Sequence, residues 1–333
     1  MNLEIYKHIY LLGVGGIGMS ALARYFNAHG KKVSGYDKSK TPLTEKLEKE
    51  GIAIHYKDDI SQIKTEVKEA KFAELLVIYT PAIDEKNSEF LFFKEKGIIP
   101  LKRSQVLGMI TRQSFTIAIA GTHGKTTTAT LLTHILKNSQ IDCTAFLGGV
   151  SKDFDSNLVL AQEGNIVIVE ADEYDRSFHH LYPDVAVITS IDEDHLDIYE
   201  DKKSLETAFQ KFASQVKQKG LLLVQAGVKT EFEKPEDGAK MSYSATEKAD
   251  YYASNIGISN NKTKFDIGVL DILPGMAYEK KISDLLIDIP GKHNIENVLA
   301  ASAVACFMGA SCENVNNAIS TFKGIKRRFE IHL

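Results

Sequence analysis

A glycine-rich loop that ends in lysine and threonine lies near the middle of the 333-residue chain. It follows the apolar run TIAIA, opens the helix-like run TTTATLLTHIL, and consists of Gly121, Thr122, His123, Gly124, Lys125, Thr126 and Thr127. Backbone N–H groups of such a loop bind triphosphate oxygens, the lysine neutralises charge between the β- and γ-phosphates, and the threonine hydroxyl suits Mg²⁺. The strict pattern has glycine at position 119, where this chain has Ile119. Because strand, Gly-Lys-Thr-Thr and helix coincide, the segment still predicts a site for ATP and Mg²⁺.

Acidic and imidazole side chains follow the next two apolar runs. Glu170 ends the run NIVIVE, and Asp172, Glu173 and Asp175 come shortly after it, while His195 follows the run DVAVITSI. Neighbouring strand ends meet at one edge of an open α/β sheet, where a carboxylate and a histidine suit Mg²⁺ ions that bridge ATP and substrate. Strand ends are also acidic simply because loops are solvated, and a lone histidine there is often incidental. Their coincidence with the phosphate loop favours a metal-binding role for Glu170 and His195.

A second glycine-rich loop, Gly13-Val14-Gly15-Gly16-Ile17-Gly18, lies between the first apolar run and a helix that starts near Met19. In this pattern the first glycine permits a tight turn, the second lets the backbone approach a diphosphate, and the third allows close helix–strand packing. Asp37 ends the second predicted strand, where a carboxylate can accept a hydrogen bond from a ribose hydroxyl. The motif predicts a diphosphate-binding loop, and NAD, another diphosphate ligand and a ligand-free turn all remain open.

Alternating strands and helices must position these loops, and short connections between them imply parallel, doubly wound sheets. In the first hundred or so residues the predicted strands are HIYLLGVGG, KKVSGYD, IAIHY and ELLVIYTPAI, with helices MSALARYFNAHG and LTEKLEKEG between them. A second series begins near Phe115 and comprises SFTIAIA, NIVIVEADE, DVAVITSIDEDH and GLLLVQ, a helix around residues 204–217, and the apolar helix GKHNIENVLAASAVACFMGA. The fragments ADYYASNIGI and TKFDIGVLDI suggest short antiparallel strands.

Length and pattern together predict two α/β domains. Residues 1–107 form a Rossmann-like parallel-sheet domain, and residues 108–330 form a central P-loop ATPase domain with a small additional β region. Gly30 and Gly51 directly follow helical stretches, where a glycine commonly ends a helix. Both glycine loops are therefore expected at the carboxyl edges of parallel sheets.

Composition excludes several classes of partner. The formal net charge is −4 and no basic block dominates, so we expect no nucleic-acid partner. A short basic cluster is interpreted as a solvated or phosphate-contacting patch and comprises Lys323, Lys326, Arg327 and Arg328. The three cysteines lack metal-ligand or disulfide spacing, and no apolar run reaches transmembrane length. We therefore expect a cytoplasmic protein with no membrane partner, whereas the sequence leaves the oligomeric state open.

Six segments occur in the order seen in the Mur ligases, and the chain resembles that family from about residue 8 to residue 330. They are GVGGIGMSALA, AGTHGKTTT, EADEYDRSFHHL, DEDHLDIY, GKHNIENVLAA and FKGIKRRFE. The resemblance implies an ATP-dependent ligase of peptidoglycan precursor synthesis whose substrates are UDP-N-acetylmuramate and L-alanine. In the implied reaction ATP phosphorylates the muramic acid carboxylate, and the amino group of L-alanine attacks the resulting acyl phosphate.

The resemblance also assigns roles residue by residue. Lys125 would stabilise the transferring phosphoryl group, and the magnesium ligands would be Thr126, Glu170 and His195. His293 and Asn297 resemble the family's adenine contacts, and Arg328 would reach the phosphates. The loop at the N-terminus would bind the diphosphate of a UDP-sugar in place of NAD. The implied UDP-sugar site comprises Gly15, Gly16, Ile17, Gly18, Met19, Ser20, Asp37, Thr80, Ala82, Arg103, Asn157 and His180.

Two departures from the family pattern bear on this interpretation. Tyr174 also occurs in the related ligase that reattaches recycled tripeptide to the same sugar nucleotide, although the short continuation RSFHHLYP favours the alanine enzyme. The chain stops at Leu333, whereas family members continue into a third α/β domain that carries the amino-acid pocket. We therefore expect a two-domain fragment that is inactive alone and whose amino-acid specificity the sequence does not define.

Two hypotheses from other classes remain. An NAD-dependent oxidoreductase explains the loop Gly13–Gly18 and Asp37, but it leaves Lys125, Glu170 and His195 without a purpose. A non-catalytic nucleotide-binding module explains both loops, and it describes this fragment if the third domain is required for catalysis.

Overall fold

The computed structural model describes residues 3–192, 199, 201–259, 262–270, 281–288 and 291–326. The chain divides into two compact units, Met1–Gln113 and Ser114–Leu333. The boundary predicted near residue 107 lies inside the helix Arg103–Arg112. Because that helix packs against strands of the first unit, the division falls after its C-terminal end and not at its middle.

The first unit is built around a parallel sheet, as predicted, and the sheet has a fifth strand that was not predicted. Its strands are β1 (His8–Leu12), β2 (Lys32–Tyr36), β3 (Ala53–His55), β4 (Leu75–Tyr79) and β5 (Leu101–Lys102). They lie in the order β3-β2-β1-β4-β5, and every neighbouring pair is parallel. The direction of chain progression reverses between β1 and β4, and open parallel sheets bind ligands outside the strand ends at such a reversal. The glycine loop that follows β1 lies at this point.

Helices flank this sheet, and two of them are each followed by a glycine residue. They are α1 (Ile17–Ala28), α2 (Pro42–Lys49), α3 (Thr65–Lys68), α4 (Ser88–Glu95) and α5 (Arg103–Arg112), with 3₁₀ turns at Leu3–Ile5, Ile60–Gln62 and Phe72–Glu74. Gly30 and Gly51 follow α1 and α2 with φ of +72° and +90°, the left-handed conformation that favours glycine. The sequence analysis missed α4, whose first turn is capped by the Asn87 side chain accepting from Phe90 N at 3.0 Å.

The second unit contains a ten-stranded mixed sheet in the order β15-β14-β13-β12-β11-β10-β6-β9-β7-β8. Its strands are β6 (Phe115–Ala120), β7 (Cys143–Ser151), β8 (Ser156–Val159), β9 (Ile166–Ala171), β10 (Val185–Ile188), β11 (Leu221–Gln225), β12 (Ala239–Ser244), β13 (Tyr251–Ser259), β14 (Lys262–Val269) and β15 (Lys281–Ile287). Its helices are α6 (Lys125–Asn138), α7 (Lys202–Ala213), α8 (Lys292–Phe307) and α9 (Cys312–Thr321), with a 3₁₀ segment at Tyr174–His180. Strands β7, β9, β6, β10, β11, β12 and β13 are parallel, which confirms the α/β class.

The additional β region extends this sheet. The antiparallel strands predicted there are confirmed as β13 and β14, and β15 continues the antiparallel edge. Strand β12 was not predicted, because its sequence AKMSYS shows no continuous apolar run, yet it pairs in parallel with β11 and buries Met241 and Tyr243. The predicted apolar helix is confirmed as α8, which packs against α6 in the hydrophobic core of this unit.

Among the residues that the structure describes, no helix is both long and apolar enough to cross a membrane.

Candidate active site

The central phosphate loop lies in the middle of the carboxyl edge of the large sheet, because β6 pairs in parallel with both β9 and β10. Its backbone φ is +138° at Gly121 and +85° at Gly124, values that favour glycine. A Cβ atom on Gly121 would collide with the Thr189 hydroxyl, and one on Gly124 would lie 2.5 Å from Asn297 Oδ1. Both glycines are therefore required by close packing as well as by backbone conformation.

Helix α6 begins directly at this loop. Its N-cap is Gly124, which has no side chain to accept hydrogen bonds from the N–H groups of the first turn. Those N–H groups and the positive end of the helix dipole face the space in front of the loop, an arrangement that favours phosphate oxygens. Lys125, Thr126 and Thr127 form that first turn, so the lysine and the two hydroxyls lie beside the same space.

The Lys125 ammonium group is held beside the loop by a buried carboxylate. Its Nζ donates to the two oxygens of Glu173 at 2.8 and 2.7 Å and to the Gly121 carbonyl oxygen at 2.5 Å. The Glu173 side chain is completely buried, and that of Lys125 is 17% exposed. A buried carboxylate without a cation is strongly destabilising, so each charge holds the other in place. Glu173 thereby positions the cation where P-loop proteins contact the β- and γ-phosphates.

The sequence analysis assigned no role to Glu173. A tight turn decides which of the neighbouring acids points inward: Asp175 and Arg176 both have φ of +53°. The Tyr199 hydroxyl donates to the Glu173 carbonyl oxygen at 2.6 Å and stabilises this turn. Burial, together with the Glu173 charge, raises the pKa of Tyr199 to about 12, so this donor keeps its proton. No signal in the sequence distinguishes Glu173 from the adjacent acids.

Thr126 and Glu170 form an oxygen-rich pair at the end of β9. The Thr126 hydroxyl donates to Glu170 Oε2 at 2.8 Å, and Glu170 Oε1 accepts from the Gly148 amide at 2.5 Å. Hydroxyl and carboxylate oxygens are the ligands that Mg²⁺ prefers, so this pair fits the ion that the resemblance implies. Within the described part of the chain no three acidic, histidine or cysteine side chains cluster as a metal site. Mg²⁺ in proteins usually keeps several water or phosphate oxygens as ligands, so a pair of protein oxygens is sufficient to hold it.

The opposite wall of the loop is formed by residues that follow β10. The Thr122 and Ser190 hydroxyls lie 2.8 Å apart, and Ser190 Oγ accepts from the His123 amide at 3.0 Å. Asp192 Oδ2 accepts from Thr122 Oγ1 at 3.2 Å and lies 3.8 Å from His123 Nε2. This network fixes the loop backbone against the neighbouring strand end.

A cavity of about 860 Å³ runs from this loop to helix α8 and includes Lys125, Thr126, His293 and Asn297 in its lining. The proposed adenine contacts thus share a cavity with the phosphate loop. Asn297 is buried and its Oδ1 accepts from the Thr128 hydroxyl at 3.1 Å, so it also braces α8 against α6. His293 is exposed at the start of α8, where its ring contacts the Asn294 amide at 3.1 Å.

Four predicted site residues are left besides those of the two loops. His195 and Arg328 lie outside the described residues. Asn157 is buried in β8, and His180 is exposed at the end of the 3₁₀ segment Tyr174–His180. Both belong to the second unit, and their assignment to the UDP-sugar stays a prediction.

The glycine loop of the first unit collects several of the predicted UDP-sugar contacts. Asp37 Oδ2 accepts from the Gly15 amide at 2.7 Å, so this carboxylate supports the loop directly. A Cβ on Gly15 would lie 2.7 Å from Thr44 Cγ2, and one on Gly18 would lie 2.9 Å from Arg103 Nη1. A Cβ on Gly13, which has φ of +84°, would lie 2.5 Å from Thr80 Cγ2. Asp37, Thr80 and Arg103 therefore lie beside the loop, and their contact with a UDP-sugar stays a prediction.

The other residues of this predicted site differ in their exposure to solvent. Ser20 is fully buried and donates to the Ile17 carbonyl oxygen at 2.9 Å within its own helix, and Met19 is buried in the core. Gly16 is the N-cap of α1 and has no side-chain cap, and Ile17 and Ala82 are exposed. Gly16, Ile17 and Ala82 are thus accessible to a ligand, whereas the side chains of Ser20 and Met19 are buried in the helix that follows the loop.

A strand, a glycine loop with lysine and threonine, and a helix at the carboxyl edge of a parallel sheet define the class of P-loop nucleotide-binding α/β proteins. The sequence pattern of the Mur ligase middle domain matches residues 119–305, and that described as the Mur ligase family, catalytic domain matches residues 8–115. A UDP-N-acetylmuramate–L-alanine ligase from Parabacteroides distasonis is 44% identical over 333 residues, which cover 100% of this chain and 70% of that relative.

Two solved structures have the same fold over nearly the whole chain. The UDP-N-acetylmuramate-alanine ligase from Thermotoga maritima has a TM-score of 0.81 at 27% identity, covering 98% of this chain and 71% of that one. A murein peptide ligase from Psychrobacter arcticus has a TM-score of 0.82 at 26% identity, covering 98% of this chain and 70% of that one. The chain belongs to the Mur ligase family.

Proposed function

We propose that this chain is the nucleotide-binding part of an ATP-dependent ligase that joins L-alanine to the lactyl carboxylate of UDP-N-acetylmuramate. The observation that carries the proposal is the phosphate loop itself: Lys125 and Thr126 line one cavity of about 860 Å³, and the Thr126 hydroxyl donates to Glu170 at 2.8 Å. The name and 44% identity of the Parabacteroides relative support the choice of substrates. We assign the reaction to the cytoplasm, where ATP is available.

In the proposed reaction the lactyl carboxylate attacks the γ-phosphorus of ATP, which gives an acyl phosphate and ADP. The amino group of L-alanine then attacks the acyl carbon, and the tetrahedral intermediate expels inorganic phosphate as the amide forms. Lys125 stabilises charge on the transferring phosphoryl group, and the N–H groups at the start of α6 orient the phosphate chain. Thr126 and Glu170 would hold Mg²⁺, which neutralises phosphate charge when it is bound. Glu173 positions Lys125 through hydrogen bonds at 2.8 and 2.7 Å.

The UDP-sugar is proposed to bind through the glycine loop of the first unit, where Asp37 braces the Gly15 amide. An NAD-dependent reaction is disfavoured, because hydride transfer does not require the Lys125–Glu173 and Thr126–Glu170 pairs of the second unit. The matched region covers 70% of the Parabacteroides relative. We propose that these 333 residues bind both nucleotides, and that efficient ligation needs the part of the relatives that this sequence does not match.

A ligase that acts on recycled tripeptide is the second candidate. The similarity to the Psychrobacter murein peptide ligase and the presence of Tyr174 favour it. Mass spectrometry distinguishes the candidates when the ligase containing this chain is incubated with UDP-N-acetylmuramate, MgATP, and either L-alanine or tripeptide. The proposal expects the L-alanyl product together with ADP and phosphate. A product formed only with the tripeptide, or phosphate release without dependence on UDP-N-acetylmuramate, would contradict it.

A further inference from the structure

The segment that follows α9, residues 322–326, lies against β7, which is the neighbour of β9 in the sheet. Its backbone pairs with the end of that strand. The Lys152 amide donates to the Gly324 carbonyl oxygen, and the Lys326 amide donates to the Val150 carbonyl oxygen, each at 2.9 Å. The segment therefore extends the sheet by a short strand, which neither the sequence analysis nor the proposed reaction uses.

Two glycines of β7 touch both members of the Thr126–Glu170 pair. The Gly148 amide donates to Glu170 Oε1 at 2.5 Å. A Cβ atom on Gly148 would collide with the other oxygen of that carboxylate, and one on Gly149 would lie 3.4 Å from Thr126 Cγ2. The carboxylate and the threonine methyl group thus both lie against the bare backbone of β7. The position of this strand therefore determines where the two ligand oxygens point.

Ile325 packs into the space that the missing Cβ of Gly149 leaves. Its Cγ2 atom would lie 2.8 Å from that Cβ, whereas carbon atoms pack at about 3.5–4.0 Å. Ile325 is 5% exposed and lies opposite Ser151 in the antiparallel bridge to β7. Because protein interiors are close-packed, a shift of this side chain is transmitted to Gly149 and to the Thr126 methyl group beside it.

A second set of contacts ties the same segment to α6. The Lys323 amide donates to the two oxygens of Asp153 at 3.3 and 3.2 Å, and Asp153 Oδ1 lies 3.8 Å from His134 Nδ1. His134 belongs to α6, the helix that carries Thr126 in its first turn. The segment is therefore fixed both to the helix that supplies one metal ligand and to the strand that orients the other.

We propose that Ile325 is a positioning residue for the Mg²⁺ site. By packing on Gly149 it holds β7 in place, and β7 in turn holds the Glu170 carboxylate and the Thr126 methyl group. An aliphatic side chain offers no ligand to a metal, so Ile325 acts only through the orientation of these two residues. The inference rests on the proposed ATP and Mg²⁺ site. Because coupling between sites is reciprocal, MgATP should also stabilise the pairing of residues 322–326 with β7.

Calorimetry of ATP binding to the 333-residue chain, once with excess Mg²⁺ and once with EDTA, tests this inference. Ile325→Ala removes the Cγ2 methyl group, so it should weaken ATP binding about fivefold with Mg²⁺. Binding with EDTA should stay unchanged, because the loop backbone and Lys125 contact phosphates without a metal. Ile325→Val keeps that methyl group and should bind MgATP within about twofold of wild type. A merely structural role would lower both affinities together.

Ile282→Ala is the matched control, because it removes the same atoms from a buried position of the same sheet. Ile282 is 4% exposed in β15, which lies at the opposite end of the sheet from β7 and β8. Urea unfolding shows whether each variant is folded and how much stability it has lost. The control should lose stability and yet keep the wild-type ratio of ATP affinities with and without Mg²⁺.

A compensating pair tests the contact itself. Gly149→Ala alone should displace Ile325 and reduce the effect of Mg²⁺ on ATP affinity, because the new methyl group takes the space of Cγ2. In the double variant Gly149→Ala/Ile325→Ala that space is vacant, and the new methyl group keeps an ordinary contact with Thr126. The double variant should therefore bind MgATP more tightly than either single variant, whereas additive losses would contradict the contact.

Hydrogen exchange gives a readout that needs no substitution. The Lys152 and Lys326 amides are donors in the pairing with β7, so MgATP should slow their exchange more than ATP with EDTA does. Exchange that does not respond to MgATP, or equal losses with and without Mg²⁺ in Ile325→Ala, overturns the role of Ile325 while the ATP site stands. If the wild-type chain binds no ATP, or binds it equally with and without Mg²⁺, the proposed metal-dependent ATP site fails as well.

Discussion

The two glycine loops of this protein share a topology and differ in chemistry. Each follows a central parallel strand and precedes a helix that has no side-chain cap. In the first unit the loop is braced by one carboxylate, with Asp37 accepting from the Gly15 amide. In the second unit Lys125 is paired with buried Glu173, and Thr126 with Glu170. The backbone alone can bind a diphosphate, but transfer of a phosphoryl group needs cations held in fixed positions.

Buried carboxylates extend the contrast between the units. Glu173 is completely buried and pairs with an ammonium group. Glu89 in the first unit is also completely buried, but it accepts from the Tyr10 hydroxyl at 2.6 Å and lies 3.3 Å from the His55 ring. The protonation state of a buried carboxyl group without a permanent cation changes with pH. A carboxylate that is paired with lysine instead fixes the position of the ammonium group.

The largest expected effect follows from removing the cation of the second loop. Lys125→Met should weaken MgATP binding by roughly 10²-fold or more, since a close charge contact with phosphate is lost. It should also lower the free energy of unfolding by about 3–5 kcal/mol, because Glu173 is left buried without a cation. Calorimetry and urea unfolding measure the two effects.

The double variant Lys125→Met/Glu173→Gln is the control for this prediction. It removes the unpaired charge, so stability should largely return while MgATP binding stays weak. A single variant with wild-type stability would show that the Lys125–Glu173 pair is not held in place as described. Full recovery of MgATP binding in the double variant would contradict the role of the lysine.

The first loop can be blocked without touching the second. Gly15→Val places side-chain atoms against Thr44 and Asp37, where even a Cβ would lie 2.7 and 2.8 Å from their nearest atoms. UDP-N-acetylmuramate binding should fall below detection, whereas MgATP affinity should change by no more than about twofold. Ala28→Val is the matched control, since Ala28 is exposed at the end of α1. Unchanged titration with the UDP-sugar would remove the first loop from the binding site.

The smallest expected effect concerns pH. Burial raises the pKa of Glu89 to about 7, above the ~4.3 of an unfolded chain, so the folded state binds the proton more tightly. The stabilisation is therefore complete below about pH 4 and is lost as pH rises through 7. Relative to Glu89→Gln, the wild-type first unit should lose on the order of 1–2 kcal/mol of stability between pH 4.5 and 8, after allowance for solvent screening.

Hydrogen exchange of the β1 and β4 amides measures this change in the first unit. The pKa of His55 is lowered, mainly by burial, and its charging destabilises the fold as pH falls. Because His55 lies 3.3 Å from Glu89, the comparison is repeated in a His55→Gln background, where the difference between glutamate and glutamine isolates Glu89. Glu85→Gln, a substitution at an exposed position, should leave the pH dependence unchanged. Parallel pH curves for wild type and Glu89→Gln would contradict the raised pKa.

The sequence predicted the parallel sheets and both loops because these features depend on local patterns. Apolar runs gave β1, β6 and β9, and glycine, lysine and threonine spacing gave the second loop. It could not predict β12, whose sequence is mostly polar and whose Met241 and Tyr243 are buried because the strand pairs with β11 and β13 and packs against α8. Nor could it separate Glu173 from the adjacent acids, because the turn at residues 175–176 decides which of them meets Lys125.

The contacts of Glu296 show the same limit of sequence analysis over longer distances in the chain. Its partners, the Ala245 amide and Gln225, are far from it in sequence and meet it only after β11, β12 and α8 assemble. In the sequence it is one acidic residue in an apolar helix. Residues that act through a local motif can be read from the chain, whereas those that act through tertiary contacts need the structure.

The central claim is that the two loops bind two different nucleotides at separate sites. Calorimetric titration of the 333-residue chain with UDP-N-acetylmuramate and with MgATP, each alone and each with the other at saturation, tests it directly. The account predicts one molecule of each ligand per chain in either order, with Gly15→Val removing only the first and Lys125→Met only the second. Competition between the two ligands for one site, or displacement of the UDP-sugar by NADH, would contradict it.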